Sequence, residues 1–165
     1  MTPEAVLEFL NLMEASAIDV CLDGGWGVDA LLGEQSREHA DLDIILRIDD
    51  LPGLVTASRE LGYAPQPGGT ATNFVLKNEA GYEVDVHAIA FDARGFGVFA
   101  LPDGRTWPFP PSAFQGRGRV GGKEVRCLSP EAQVMCHAQG YTPDATDLQD
   151  MMRLQDRFGV VLPLY

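Results

Sequence analysis

Asp41-Leu42-Asp43 opens an apolar run, Ile44-Ile45-Leu46, and further on Glu83, Asp85 and His87 alternate with Val84, Val86 and Ala88. Side chains two apart in a strand share a face, so Asp41 and Asp43 point the same way, with Cα atoms about 7 Å apart. An isolated pair of this kind is often just the solvated edge of a strand, because acidic residues are mostly exposed. The run after Asp43 weighs against that reading, since a carboxylate at the mouth of a buried strand needs partners. If the two strands are neighbours, Asp41, Asp43 and Asp85 converge on hard divalent ions such as Mg2+, which prefer oxygen ligands. Ions so held activate an attacking hydroxyl and neutralise the leaving phosphates of a nucleotide, which is the chemistry of phosphoryl or nucleotidyl transfer. Without metal the three carboxylates repel one another, and at least one is expected to have a raised pKa.

The elements that must position these groups are legible in outline. Thr2-Pro3-Glu4 predicts a capped helix over residues 3 to 15, and Ile18 to Leu22 a short strand ending at Asp23-Gly24-Gly25. A helix then runs from Trp26 until Gly33 stops it. Gly24 and Gly25 thus lie at a strand-to-helix turn, where backbone amides can face an anion, although such pairs also serve as plain tight turns. A strand is expected over 41–48, a helix over 51–61 closed by Gly62, and a loop over 65–72. Phe74 to Leu76 and Tyr82 to Ile89 bracket Asn78-Glu79-Ala80-Gly81, as in an antiparallel hairpin. Residues 92–122 hold many glycines and prolines and predict short strands and loops. Ser129-Pro130-Glu131 starts another helix, and a last one spans Asp144 to Phe158.

The 165 residues are expected to form one domain over 1–165, with 45% hydrophobic residues to build a core. Acidic residues number 24 against 12 basic ones, a net charge of −12, which argues against a nucleic-acid partner. Lys77 and Lys123 are the only lysines, so an anionic ligand needs local help such as metal ions. Cys21, Cys127 and Cys136 have no zinc-type spacing and are expected to be reduced, the last two as small core residues. No signal-peptide pattern and no run approaching ~20 apolar residues is present, so no membrane partner and a cytoplasmic location are expected. His39 and His87 are either nucleotide contacts or structural residues. Trp26 is expected in the core, and Trp107 and Phe109 on an exposed acceptor or dimer surface.

Gly24-Gly25-Trp26-Gly27-Val28-Asp29, Gly33, Ser36-Arg37-Glu38-His39-Ala40-Asp41-Leu42-Asp43-Ile44 and Asp85-Val86-His87 form one pattern. It resembles the small antibiotic nucleotidyltransferases, the aminoglycoside 2''-adenylyltransferase and lincosamide nucleotidyltransferase group of the polymerase β-like nucleotidyltransferase superfamily. The most specific part is Arg37-Glu38-His39 directly before Asp41-Leu42-Asp43. The looser match in the tail rests on Tyr141, Asp147 and Asp150 after Ser129-Pro130-Glu131.

The resemblance implies an α+β fold with a mixed β-sheet packed by helices. It also implies ATP or another nucleoside triphosphate bound with Mg2+, and transfer of a nucleoside monophosphate to a hydroxyl of a small molecule such as an aminoglycoside or lincosamide. By motif position Asp41 and Asp43 bind metal, while Asp85 completes the triad, acts as general base, or both. Gly24 and Gly25 approach the triphosphate, and Arg37 and Lys123 are candidate phosphate contacts on charge alone, with a surface role as the alternative. Gly27 stands where many relatives carry a larger residue and loosens its helix by up to ~1 kcal/mol against Ala. The length is close to the short lincosamide type, whose acceptor site a partner subunit can complete, so a homodimer is the corresponding expectation. The acidic surface favours a cationic acceptor. Two alternatives stand beside this reading: a protein acceptor, as in toxin-antitoxin pairs, and a non-catalytic nucleotide-binding or interaction domain. A degenerate copy should have lost one of Asp41, Asp43 and Asp85, and all three are present.

Overall fold

The computed structural model describes residues 1–101, 104–138 and 142–163. The first helix, α1 (Pro3–Ala15), is capped by Thr2, whose hydroxyl accepts from the Ala5 amide at 3.3 Å. The Ile18 amide donates to the Met13 carbonyl at 2.9 Å and closes the end of α1. The strand expected from residue 18 therefore begins later, as β1 (Val20–Leu22). Helix α2 (Gly24–Leu32) starts on the glycine pair itself, because Asp23 caps it. The Asp23 carboxylate accepts from the Gly24 amide at 2.8 Å, and its carbonyl accepts from the Gly27 amide at 3.0 Å.

Strand β2 (Asp41–Arg47) leads to α3 (Leu51–Ser58), flanked by 3-10 turns at Ile48–Asp50 and Arg59–Leu61. Strand β3 (Ala64–Pro65) intrudes on the expected loop by pairing with β4 (Asn73–Lys77), which forms the expected hairpin with β5 (Glu83–Phe91). The glycine- and proline-rich region holds β6 (Gly97–Ala100), β7 (Thr106–Phe109), a 3-10 turn at Pro111–Gln115 and β8 (Gly116–Val120). It is followed by β9 (Lys123–Cys127), α4 (Pro130–Ala138) and α5 (Ala145–Phe158), the last opened by a reciprocal Asp144–Asp147 capping box.

The strands form a mixed sheet in the order β3-β4-β5-β2-β1-β9-β8, with the β6–β7 hairpin extending from β5. Strands β2 and β5 are parallel, as are β1 and β9; the other pairs are antiparallel. A parallel pair needs a crossover connection, and α3 with β3 and β4 provides it between β2 and β5. Leu42, Ile44 and Leu46 of β2 and Val84, Val86 and Ala88 of β5 are all at most 2% exposed. They enter one core with Phe9 and Met13 of α1 and Leu54 of α3. The alternate residues of both strands face the other way, and among them are Asp41, Asp43, Asp85 and His87.

Further cores join Ile45, Ile89, Phe109 and Phe114, and Val28 of α2 with Val134, Met151 and Leu154 of α4 and α5. Phe109 is therefore not an exposed surface residue: it is buried with its ring centroid 5.8 Å from that of Phe114, while Trp107 is half-buried. Trp26 is in the core as expected. Tyr141 lies outside the described residues. Among the described residues no helix is long and apolar enough to cross a membrane.

Helix α2 rests on β8 backbone to backbone: a Cβ on Gly118 would lie 2.2 Å from the Ala30 carbonyl oxygen. Gly118→Ala must push the helix outward, and a loss of about 1–3 kcal/mol is expected in urea unfolding. Unchanged stability would refute this close packing.

Candidate active site

Parallel pairing sets Asp43 of β2 directly opposite Asp85 of β5, and Asp41 opposite Glu83. Nδ1 or Nε2 of His87 and one oxygen each from Asp43 and Asp85 lie within 4.8 Å of one another. The His87 Nε2 is 3.7 Å from Asp43 Oδ1 and 3.9 Å from Asp85 Oδ2. The compact cluster is thus Asp43, Asp85 and His87, whereas Asp41 stands two residue pairs further along the strands, exposed at the rim. Lys77 occupies Glu83 through a 2.6 Å ion pair, so Glu83 is already partnered.

Burial first, and mutual repulsion with it, disfavours the ionised forms of Asp41 and Asp85, in line with the expectation of a raised carboxylate pKa. Burial and then the Asp43 charge raise the Asp41 pKa above its ordinary value. Burial raises that of Asp85, with Asp43 and Asp41 adding to it and His87 opposing it. Burial alone would lower the His87 pKa, but the Asp43 carboxylate and the charges of Asp85 and Asp23 outweigh it and the net shift is upward. A fourth acid joins them. Asp23, the cap of α2, is raised by burial and by Asp43. In the sequence Asp23 reads as part of a turn, although its place directly before Gly24-Gly25 is the cap position of a helix.

Gly24 makes this assembly sterically allowed. Its φ is +57°, and a Cβ there would fall 2.2 Å from Asp43 Oδ2. The start of α2, with its outward-facing amides, can therefore lie against the acidic cluster. Gly25 brings in a second group: a Cβ on it would be 2.3 Å from His39 Nδ1 and 2.7 Å from Arg37 Nη2. Arg37 accordingly lies beside the α2 N-terminus and is ion-paired with Asp150 at 2.8 Å. His39 is buried, its Nε2 bonded to Asp29 and its ring 4.8 Å from that of Trp26, so its role is structural.

Lys123 is not brought to the cluster. It sits at the start of β9, bonded to Glu14 and Asn11 at 2.5 Å each. Cys127, at the other end of that strand, pairs with Leu22 beside Asp23, so Lys123 is about 13 Å away along the strand. Cys127 is fully buried as expected, its thiol pushed up to about 12 by burial. Cys136 is instead half-buried beside Asp23, and burial followed by that carboxylate raises its thiol well above the ordinary value.

The donor set fits a hard divalent cation. Two facing carboxylates and an imidazole offer ligand atoms within 4.8 Å of one another, with a third carboxylate at the rim. Comparison with known proteins gives the family. The family model for aminoglycoside-2''-adenylyltransferase matches residues 5–154. The chain belongs to this family. It is 30% identical over 155 residues to a lincosamide resistance protein of Staphylococcus haemolyticus, covering 94% of this chain and 95% of that protein. A lincosamide antibiotic adenylyltransferase, LnuA, solved with lincomycin bound, superposes with a TM-score of 0.82 at 30% identity, covering 94% of this chain and 97% of that one. The ANT(2'')-Ia structure in complex with adenylyl-2''-tobramycin gives a TM-score of 0.76 at 16% identity over 95% and 89% of the chains, a likeness of fold. Family and fold together make this chain a nucleotidyltransferase of the polymerase β-like class, in the α+β architecture expected.

Gly24→Ala should break the contact between the α2 start and Asp43 by the clash and by the positive φ together. A loss of about 1–3 kcal/mol in urea unfolding is expected, with weakened divalent-cation binding by titration calorimetry. Wild-type cation affinity in a stably folded variant would contradict the close approach.

Proposed function

We propose that the protein transfers AMP from ATP, with Mg2+, to a hydroxyl of a lincosamide-type acceptor. The observation that carries this is the placement of Asp43 opposite Asp85, at the mouth of two parallel strands and against the Gly24 turn. Asp43 and Asp85, with Asp41 at the rim, would hold the Mg2+. Bound there, the ion neutralises triphosphate charge and lowers the barrier to loss of pyrophosphate. Gly24, whose amide is held by Asp23, leaves room for the close approach of the triphosphate, and Gly25 and Arg37 would present an amide and a guanidinium to the phosphates. The acceptor oxygen attacks the α-phosphorus, a P–O bond forms as the bond to pyrophosphate breaks, and the hydroxyl proton passes to an Asp85 carboxylate oxygen. His87 Nε2, 3.9 Å from Asp85 Oδ2 and 3.7 Å from Asp43 Oδ1, stands beside both carboxylates.

The acceptor class is supported by two observations. A lincosamide resistance protein and a lincosamide adenylyltransferase match at 30% identity along nearly the whole chain, against 16% for the aminoglycoside-modifying ANT(2'')-Ia. In addition, the His87 ring meets Phe99 at 5.8 Å, and Phe99 of β6 pairs with Trp107 of β7. This half-buried aromatic wall beside the acids suits an acceptor that combines apolar surface with hydroxyls, more than a uniformly polar aminoglycoside.

Pyrophosphate release with ATP and Mg2+, run in parallel with lincosamides and aminoglycosides, tests the proposal. Release is expected with lincosamides, with a fall of about 10²–10⁴-fold for Asp85→Asn as a general base is lost. Asp43→Asn should remove turnover while keeping the fold; undiminished turnover in that variant would sink the metal-held site.

Protons and Mg2+ compete for the same carboxylates, and raised pKa values move that competition toward neutral pH. The rise in melting temperature on adding Mg2+ should therefore be largest at neutral pH. It should shrink as pH falls, starting above the ordinary carboxylate range. A rise independent of pH would exclude these acids as the ligands.

A further inference from the structure

Arg37 reaches the α2 N-terminus from the segment before β2, but what holds it comes from α5, 113 residues away. Asp150 is 1% exposed, and its Oδ2 accepts from Arg37 Nη2 at 2.8 Å and from Arg37 Nε at 3.3 Å. Its Oδ1 accepts from Arg153 Nη1 at 3.4 Å. The same Arg153 nitrogen donates to Ser36 Oγ at 2.7 Å, and Ser36 Oγ donates to Asp29 Oδ1 at 2.6 Å. Asp29, 2% exposed, also accepts from the Ser36 amide and pairs with His39. Residues 36–39 are thus gripped from both sides by buried carboxylates, one on α2 and one on α5.

Arg37 is the member of this network that lies against the α2 start. Its side chain is 31% exposed, against 1% for Asp150, and its Nη2 abuts Gly25. Arg153, on the same helix as Asp150, also pairs with the buried carboxylate, through its other oxygen. The contact through two guanidinium nitrogens fixes the plane and the reach of the Arg37 fork. Fixing a long side chain in advance removes the ordering it would otherwise undergo on meeting a ligand.

We propose that Asp150 is a positioning residue for the nucleotide: from α5 it holds the Arg37 guanidinium at the Gly24-Gly25 turn, ready for a phosphate of ATP. The inference rests on the proposed nucleotidyl transfer and adds to it a role for the C-terminal helix. Asp150 itself touches no substrate.

The test is steady-state kinetics together with calorimetric titration of a non-hydrolysable ATP analogue in Mg2+. Asp150→Asn keeps shape and volume but removes the charge. It should raise KM for ATP and the analogue Kd by about tenfold, the scale of one charge-assisted hydrogen bond, with kcat and the acceptor KM nearly unchanged. Arg37→Gln should have a similar effect, and the double variant should be no worse than either single one. Arg37→Lys keeps the positive charge but not the two-nitrogen grip, so it should behave as Asp150→Asn does; it also serves if Asp150→Asn fails to fold. Wild-type ATP affinity in Arg37→Lys, additive losses in the double variant, or a lower melting temperature with unchanged KM for ATP would each overturn the positioning role. Absence of analogue binding in the wild-type protein would overturn the nucleotidyl-transfer reading beneath it.

Discussion

Everything at the site depends on the register between two parallel strands. The backbone ladder of β2 and β5 sets Asp43 against Asp85, and the residues between them lock that ladder in place. Leu42, Ile44 and Leu46, with Val84, Val86 and Ala88, are buried under α1 and α3. A slip of one residue in either strand would turn that strand's apolar side to the site and its acids into the core, at a cost no local interaction offsets. The hydrophobic effect on one face of the sheet thus fixes the chemistry on the other.

Holding the acids together works against stability, and the surrounding elements are built to tolerate it. Asp23, Asp41 and Asp85 all have raised pKa values, which means that the fold keeps them where their ionised forms are disfavoured. Gly24 lets α2 approach Asp43, Asp23 caps the same helix, and the bonds through Asp29, Ser36, Arg153 and Asp150 tie the segment before β2 to both α2 and α5. The negative charge of Asp43, Asp85 and Asp23 raises the His87 pKa against the effect of burial, a sign of the repulsion among these acids. A divalent ion answers it fully, which is the physical reason to expect affinity for one.

The parts of this arrangement that were legible in the sequence are those written in local periodicity. Alternation in 41–47 and 83–89 showed which residues share a face, and the glycines after Asp23 showed a turn leading into a helix. Adjacency of β2 and β5 was a condition of the reading, since strand order follows from tertiary packing and leaves no local trace. For the same reason Lys123 looked as suitable as Arg37: both are single basic residues, and only the pairing of β9 with β1 sends Lys123 to the far end, beside Glu14. Phe109 was misjudged because prolines on both sides signal a loop, while its ring is buried against Phe114. His87 in place of Asp41 in the compact cluster reflects side-chain reach across strands, which spacing along one strand does not report. Arg37 and Asp150 each belong to the resembling motifs, but the grip of one on the other joins positions 113 residues apart and leaves no trace in local sequence.

The central claim is that facing carboxylates beside a glycine turn form a cation-dependent nucleotide site. Isothermal titration of the wild-type protein with a non-hydrolysable ATP analogue, in Mg2+ and then in a chelator, tests it most directly. Binding in Mg2+ that disappears in the chelator is the predicted result. Equal affinity in both conditions, or no binding in either, would contradict it.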